Sequence, residues 1–162
     1  MPKTVIVNST PIIALSSIDK LGLLKELYGT VIIPNAVKDE VGAKGNSKAH
    51  NQLEASTDWI HVREINNVAH KQTFRTQLHD GEVEVIILGQ ELTADILVID
   101  DNSAREYAKY LGLNIIGTVG IILLAKSKGF IYEVKPLLDR LIANGIFISN
   151  RLYADVMKIA NE

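Results

Sequence analysis

The stretch that decides the fold is Ile96-Leu97-Val98-Ile99-Asp100-Asp101-Asn102-Ser103. Four apolar residues in a row are typical of a strand that is buried on both faces, and the two acids mark its end. Ser103 and Glu106 fit the S-x-x-E pattern of a capping box, so we predict that a helix begins just after the acids. A buried strand, a polar edge and a helix in direct succession are typical of an α/β unit.

The same succession recurs on both sides of this stretch. Apolar runs predict further strands at 5–7, 31–33, 59–62, 115–116 and 146–148. Helical patterns are predicted to begin near Thr10, Pro34, Asp80, Thr118 and Pro136, and a terminal helix at Ser149 or Asn150. We predict that the first helix runs unbroken to Gly29, that Thr118 caps its helix, and that 66–79 is a polar connection. This alternation predicts an α/β fold with a mostly parallel sheet, in a single domain over 1–162.

Composition excludes several classes of protein. The chain has 162 residues, 47% of them hydrophobic, no cysteine and a formal net charge of −2. It is too apolar for a disordered chain, and it cannot be a disulfide scaffold, a thiolate zinc protein or a cysteine-nucleophile enzyme. A net charge near zero argues against a uniformly basic nucleic-acid-binding surface but leaves room for a basic patch. With no signal-peptide pattern and no apolar run near the roughly 18 residues of a membrane span, we expect a cytoplasmic protein with no membrane partner.

Polar residues that can carry chemistry collect where the predicted strands end. They are Asn8, Ser9, Glu40, Glu82, Glu84, Asp100, Asp101 and Thr118. Ligands of open α/β sheets bind beyond the carboxyl ends of the strands, so we expect these side chains at one edge. Converging carboxylates favour a cation between them, and oxygen ligands favour Mg²⁺ or Mn²⁺ over zinc. Because each residue alone also fits a cap, a turn or a solvated helix, this set predicts only an acidic cleft.

Five blocks of the sequence, in order and at fitting spacing, resemble those of PIN-domain proteins. They are Val7–Leu15 (VNSTPIIAL), Ile33–Val41 (IPNAVKDEV), Gly81–Ile86 (GEVEVI), Leu97–Arg105 (LVIDDNSAR) and Leu111–Gly120 (LGLNIIGTVG). The G-E-x-E helix start is similar to that of one PIN branch. The resemblance implies a three-layer α/β/α fold around a mostly parallel sheet.

The resemblance also implies a function, that of a metal-dependent ribonuclease of the VapC toxin type. In such an enzyme Mg²⁺ or Mn²⁺ activates the water that cleaves an RNA phosphodiester. The implied residues are Glu40, Glu82 and Asp100 for catalysis and metal binding, Asn8 and Asp101 as further metal ligands, and Ser9, Glu84 and Thr118 as auxiliary groups. Homodimerisation and a small inhibitory antitoxin protein are implied as well.

One position departs from the family pattern, because Asn8 stands where PIN proteins carry their first acid. An amide oxygen can bind a hard metal but brings no negative charge. A catalytically weak or inactive module that binds RNA or a protein therefore remains an alternative. A phosphoacceptor receiver domain is disfavoured, since its site needs an acid at the end of an early strand.

A candidate RNA contact lies just before the helix that begins at Asp80. From 66 to 79 there is no acid, while Lys71 and Arg75 are present. Because this segment leads directly into Glu82, we expect Lys71 and Arg75 to steer the RNA backbone towards the acidic cleft. The alternative is an ordinary polar surface loop.

Overall fold

The computed structural model describes residues 2–43, 45, 47–73 and 78–162. The strands in this part of the chain are β1 (Val5–Val7), β2 (Val31–Pro34), β3 (Ile60–Arg63), β4 (Ile96–Val98) and β5 (Ile115–Ile116). The helices are α1 (Ser9–Ser17), α2 (Gly22–Tyr28), α3 (Asn35–Gly42), α4 (Lys48–Glu54), α5 (Val68–Thr73), α6 (Asp80–Glu91), α7 (Asn102–Tyr110), α8 (Thr118–Ser127), α9 (Lys135–Ala143) and α10 (Asn150–Ile159).

The strands form one sheet in the order β3-β2-β1-β4-β5, and every neighbouring pair is parallel. Helices cover both sides of the sheet, so the predicted α/β/α architecture is confirmed. β1 is buried along its whole length, and its Ile6 faces Ile32 of β2 and Leu97 of β4. The strand order reverses at β1, which makes its carboxyl end the point where a doubly wound sheet opens a crevice.

The prediction of one unbroken helix from Thr10 to Gly29 is wrong, because this stretch forms two helices, α1 and α2. Asp19 lies between them with φ of 57°. Aspartate tolerates this left-handed conformation better than most residues. Ile18 and Leu21 are both buried, so the two helices pack on one core and keep the apolar spacing that suggested a single helix.

Two further segments differ from prediction. The run at 146–148 is not a strand; it connects α9 to α10, and Phe147 is 89% exposed. The Ile146 amide donates to the Leu141 carbonyl across Gly145, whose φ is 91°. The start of this run therefore caps the C-terminus of α9. The predicted polar connection at 66–79 contains the short helix α5.

Within the described residues, no helix combines the length and the apolar content that spanning a bilayer requires.

Candidate active site

The sheet brings the polar ends of its central strands together, as predicted. The Asn8 amide donates to the Val98 carbonyl over 3.0 Å, and the Ile99 amide donates to the Ile116 carbonyl over 2.9 Å. The residues that follow β1, β4 and β5 therefore lie side by side at one edge. Parallel strands end at the same edge, and this register is why distant parts of the sequence meet there.

Glu40 joins three elements at this edge. Its Oε2 accepts a hydrogen bond from the Ser9 hydroxyl at the start of α1, and its Oε1 accepts one from the Gly81 amide at the start of α6, both 2.7 Å long. A Cβ atom at Gly81 would lie 2.5 Å from Glu40 Oε1, so only glycine allows this approach. The bond from Ser9 to Glu40 was not predicted from the sequence, which gave Ser9 only an auxiliary role.

Asp100 is bound on both carboxylate oxygens by Thr118. The Thr118 amide donates to Oδ1 over 2.7 Å, and the Thr118 hydroxyl donates to Oδ2 over 2.6 Å. The prediction that Thr118 is an N-cap is wrong, because Gly117 takes that position and Thr118 is the first residue of α8. The Thr118 hydroxyl donates to Asp100 instead, and its auxiliary role in the site stays a prediction.

Asp101 caps α7 through its own side chain. Its Oδ2 accepts a hydrogen bond from the Ala104 amide over 2.9 Å. The predicted capping box of Ser103 and Glu106 is therefore wrong, because the helix begins at Asn102 and leaves Ser103 inside its first turn. Two adjacent acids thus have different partners, since Asp100 reaches across to α8 whereas Asp101 serves its own helix.

All five predicted acids share one feature: each accepts a backbone N–H at the start of a helix. The donors are the amides of Gly81 for Glu40, His79 for Glu82, Ala36 for Glu84, Thr118 for Asp100 and Ala104 for Asp101. The positive end of a helix dipole interacts favourably with a carboxylate. Four helix N-termini therefore converge with the acids at this edge, an arrangement that depends on packing rather than on sequence spacing.

Two buried oxygen atoms at the edge lack a hydrogen-bond partner. Asn8 is 3% exposed and its Oδ1 is unpartnered, as is Oε2 of Glu82, which is 4% exposed. Burial raises the pKa of Glu82, and the nearby carboxylate of Asp101 raises it further, while the hydrogen bond from the His79 amide opposes the shift. Buried acceptors without donors are costly and call for an explanation such as an ion.

The donor chemistry at the edge fits a hard divalent cation. Asn8, Glu82 and their neighbouring acids offer only oxygen atoms, which Mg²⁺ and Mn²⁺ prefer. Among the described residues, however, no three histidine or acidic side chains are grouped as a ready-made metal centre. Protein donors already bind both carboxylate oxygens of Glu40 and of Asp100.

An open cavity of about 780 Å³ lies beside Glu40. Ser9, Asp39, Asp80 and Glu84 contribute to its wall together with Glu40, whereas Glu82 and Asp100 do not line it. Asp39 and Asp80 are acids that the sequence analysis did not single out. Asp39 lies inside the second family block, directly before Glu40, and Asp80 directly precedes the third block, but nothing in the sequence shows that both face one cavity.

Lys71 reaches into the same cavity from α5. Its Nζ lies 2.7 Å from Glu84 Oε2 and 3.8 Å from Asp80 Oδ1. The hydrogen bond that Lys71 donates to the Glu84 carboxylate raises the pKa of Lys71. Glu84 is therefore bound on one oxygen by Lys71 and on the other by the Ala36 amide. Arg75, the second predicted RNA contact, lies outside the described residues.

Arg105 is a neighbour of the site that the sequence analysis quoted in a block but gave no role. Its Nη1 donates to the Ile99 carbonyl over 3.0 Å. A Cβ atom at Gly117 would lie 2.9 Å from this nitrogen and 2.9 Å from Asp100 Oδ1. Arg105 thus fixes the end of β4 from which Asp100 projects.

Comparison with known proteins yields a family and a fold. The model of the family DUF3368, described as a PIN domain, matches residues 4–162. No curated protein matches the chain. A solved structure of a PilT N-terminus domain protein from the hyperthermophilic archaeon Sulfolobus solfataricus P2 is 20% identical, with a TM-score of 0.51; the match covers 73% of this chain and 89% of that one. At this identity the likeness concerns the fold alone.

Proposed function

The chain belongs to the PIN-domain family, and from this premise we propose that it is a metal-dependent ribonuclease, the toxin of a toxin–antitoxin pair. PIN domains are generally nucleases and usually use divalent metal ions, so family membership supports the coarser statement of a metal-using nuclease. RNA as the substrate, Mg²⁺ or Mn²⁺ as the metal and the toxin role are what the proposal adds. Its expected partners are RNA, a small antitoxin and a second copy of the chain.

The observation that carries the proposal is the pair of unpartnered buried oxygens, Asn8 Oδ1 and Glu82 Oε2. The fold gives every predicted acid of the site, Glu82 included, an amide donor at the start of a helix, yet it leaves these two oxygen atoms without a donor. A cation at this edge would supply the missing partner and offset the burial of the Glu82 charge.

The residues that would hold the metal are Glu40, Glu82, Asp100, Asn8 and Asp101. The bound metal would supply activated water and would stabilise the charge that develops on the phosphate. The chain's own contribution is orientation: Ser9 and Gly81 fix both oxygens of Glu40, and Thr118 fixes both oxygens of Asp100. In this proposal Lys71 and Arg75 contact the phosphate backbone of the RNA.

A second candidate function is binding of RNA or a protein without cleavage. Two observations favour it: an amide, Asn8, occupies a position where the family carries an acid, and no three-acid cluster is assembled among the described residues. Fewer negative charges attract the metal less strongly. The two candidates differ in whether RNA that binds is also cut.

The test is an RNA cleavage assay with the full chain in Mn²⁺, compared with EDTA. Asp100→Asn keeps the shape of the side chain but removes its charge, and we expect cleavage to fall about a hundredfold or more. Glu106→Gln is the matched control, because Glu106 is a 79% exposed acid on α7 whose one close ion pair spans 3.9 Å.

Cleavage by Asp100→Asn at the rate of the unaltered chain, or equal cleavage in EDTA, would contradict the proposed enzyme. RNA binding by a well-folded chain that never cuts would select the second candidate.

A further inference from the structure

The helix α5 is joined to α6 by polar contacts near both of its ends. None of its six residues is buried, and Val68 is 57% exposed. At its start, the Glu91 carboxylate of α6 accepts hydrogen bonds of 2.9 Å from the amides of Asn66 and Asn67. Near its end, Lys71 pairs with Glu84, which also belongs to α6.

The two carboxylates that hold α5 lie on the same face of α6. Glu84 and Glu91 are seven residues apart, which is close to two helical turns. The Lys71–Glu84 contact is the partly buried one, with side-chain exposures of 26% and 10%. Such a contact is weakened less by solvent than a fully exposed ion pair, so it is an effective electrostatic tie of α5.

Lys71 is also the only lysine or arginine among the described residues that line the 780 Å³ cavity beside Glu40. Four carboxylates share that lining, those of Asp39, Glu40, Asp80 and Glu84. A single ammonium therefore faces four acids in one open space. Its position offsets part of the negative potential that would otherwise draw a cation into the cavity.

From this we infer that Lys71 is an internal counter-cation of the acidic cavity, and that its pairing with Glu84 and the binding of a divalent cation oppose each other. The inference rests on the proposed metal-dependent function. A divalent cation held by residues that include Glu40 would repel the ammonium and weaken the tie of α5. By linkage, the Lys71–Glu84 pair must lower the affinity of the site for the cation by the same factor by which the bound cation weakens that pair.

The experiment is calorimetric titration of the full chain with Mn²⁺. Lys71→Met keeps the length of the side chain and removes its charge, and we expect Mn²⁺ to bind about tenfold more tightly. Lys71→Arg, which keeps the charge, should bind Mn²⁺ as the unaltered chain does. Lys135→Met is the matched control, because Lys135 also forms a 2.7 Å ion pair, with Asp139, but does not line this cavity.

Hydrogen exchange gives a readout that is independent of affinity and activity. In the unaltered chain, Mn²⁺ should speed exchange of the amides at 66–73, because it weakens the Lys71–Glu84 tie. In Lys71→Met, exchange there should be fast already and insensitive to Mn²⁺. A circular-dichroism melt confirms that each variant is folded.

Equal Mn²⁺ affinity in the unaltered chain and Lys71→Met would overturn this inference and leave the proposed function standing. Protection of 66–73 by Mn²⁺ would also overturn it. If no variant binds Mn²⁺, the inference and the proposed function both fail.

Discussion

Two carboxylates of this chain have opposite surroundings, one at the C-terminal helix and one at the candidate site. Glu162 accepts hydrogen bonds of 2.8 to 2.9 Å from Lys126 Nζ and from the amides of Val134 and Lys135. The Lys126 hydrogen bond, with those two amides, lowers the pKa of Glu162 to about 2. Glu82 has one donor, the His79 amide, and burial raises its pKa.

The difference is between a carboxylate whose hydrogen bonds stabilise the fold and a carboxylate that the fold leaves with an unpartnered oxygen. Glu162, which follows α10, binds the amides at the start of α9, and Lys126 additionally donates to the Ala160 carbonyl. Glu82 keeps an unpartnered oxygen in a buried place. Perturbed carboxylates without structural partners are candidates for function, because a purely structural group would be satisfied.

The largest effect is expected from Glu82→Gln, which tests whether the Glu82 carboxylate has a functional rather than a structural role. We expect RNA cleavage in Mn²⁺ to fall about a hundredfold or more, because a buried negative charge at the proposed metal site is lost. At the same time the unfolding temperature in EDTA should stay the same or rise. The amide keeps an acceptor for the His79 amide and offers a donor near Asp101 in place of a repelling charge.

Glu162→Gln is the opposite case and the control. It should lower the unfolding temperature and leave cleavage unchanged at temperatures well below it. If Glu82→Gln unfolds earlier and Glu162→Gln does not, the assignment of structural and functional roles is the wrong way round.

The next largest effect is expected from Gly81→Ala. The added Cβ would come within 2.5 Å of Glu40 Oε1 and 2.8 Å of Oε2, so the carboxylate must leave its bonds to Ser9 and the Gly81 amide. Misplacing a catalytic group by about an ångström should slow cleavage roughly ten- to a hundredfold. Cleavage rates and unfolding temperatures are compared with Gly22→Ala, where a Cβ meets nothing within 4 Å. Unchanged cleavage in Gly81→Ala would show that the position of Glu40 is unimportant.

The edge at which these groups meet could be predicted from sequence, but their partners could not. Apolar runs before Asn8 and Asp100 mark buried parallel strands, and parallel strands end at one edge. That logic places both residues correctly. It cannot show that Gly81 donates to Glu40 or that Thr118 binds Asp100, because those bonds depend on how α3, α6 and α8 pack.

Local patterns failed where a different local interaction satisfied the same backbone groups. Ser103 fits a capping box, yet the cap is Asp101, two residues before Ser103, and its carboxylate accepts the Ala104 amide. The helical spacing of apolar residues continues across Asp19, so it predicted one helix. The left-handed conformation of Asp19 separates α1 from α2, yet Ile18 and Leu21 on either side of it are both buried. Short-range rules predict that a helix begins nearby; the exact cap is decided by competition between neighbouring side chains.

A tenfold effect on metal affinity is expected for Asn8→Asp. The substitution places a carboxylate where Asn8 Oδ1 is buried and unpartnered, so Mn²⁺ should bind about tenfold more tightly in calorimetric titration. In EDTA the variant should be about 1 to 3 kcal/mol less stable, because it buries a second charge near the acids of the edge. Saturating Mn²⁺ should restore that loss by linkage. Unchanged or weaker Mn²⁺ binding would place Asn8 outside the metal site.

The smallest expected effect is a pH dependence of stability that has opposite signs for the two carboxylates. The pKa of Glu162 is lowered from 4.5 to about 2, so its contribution is complete above pH 4.5 and is lost as the pH falls towards 2. The pKa of Glu82 is raised above 4.5, so its contribution is largest below that pH and is lost as the pH rises through the raised value. Melting curves recorded in EDTA between pH 3 and 7 should therefore show the unfolding temperatures of Glu162→Gln and the unaltered chain converging at the acid end. Glu82→Gln should approach the unaltered chain there too, and exceed it in stability towards neutral pH. The comparison fails if both differences change with pH in the same direction.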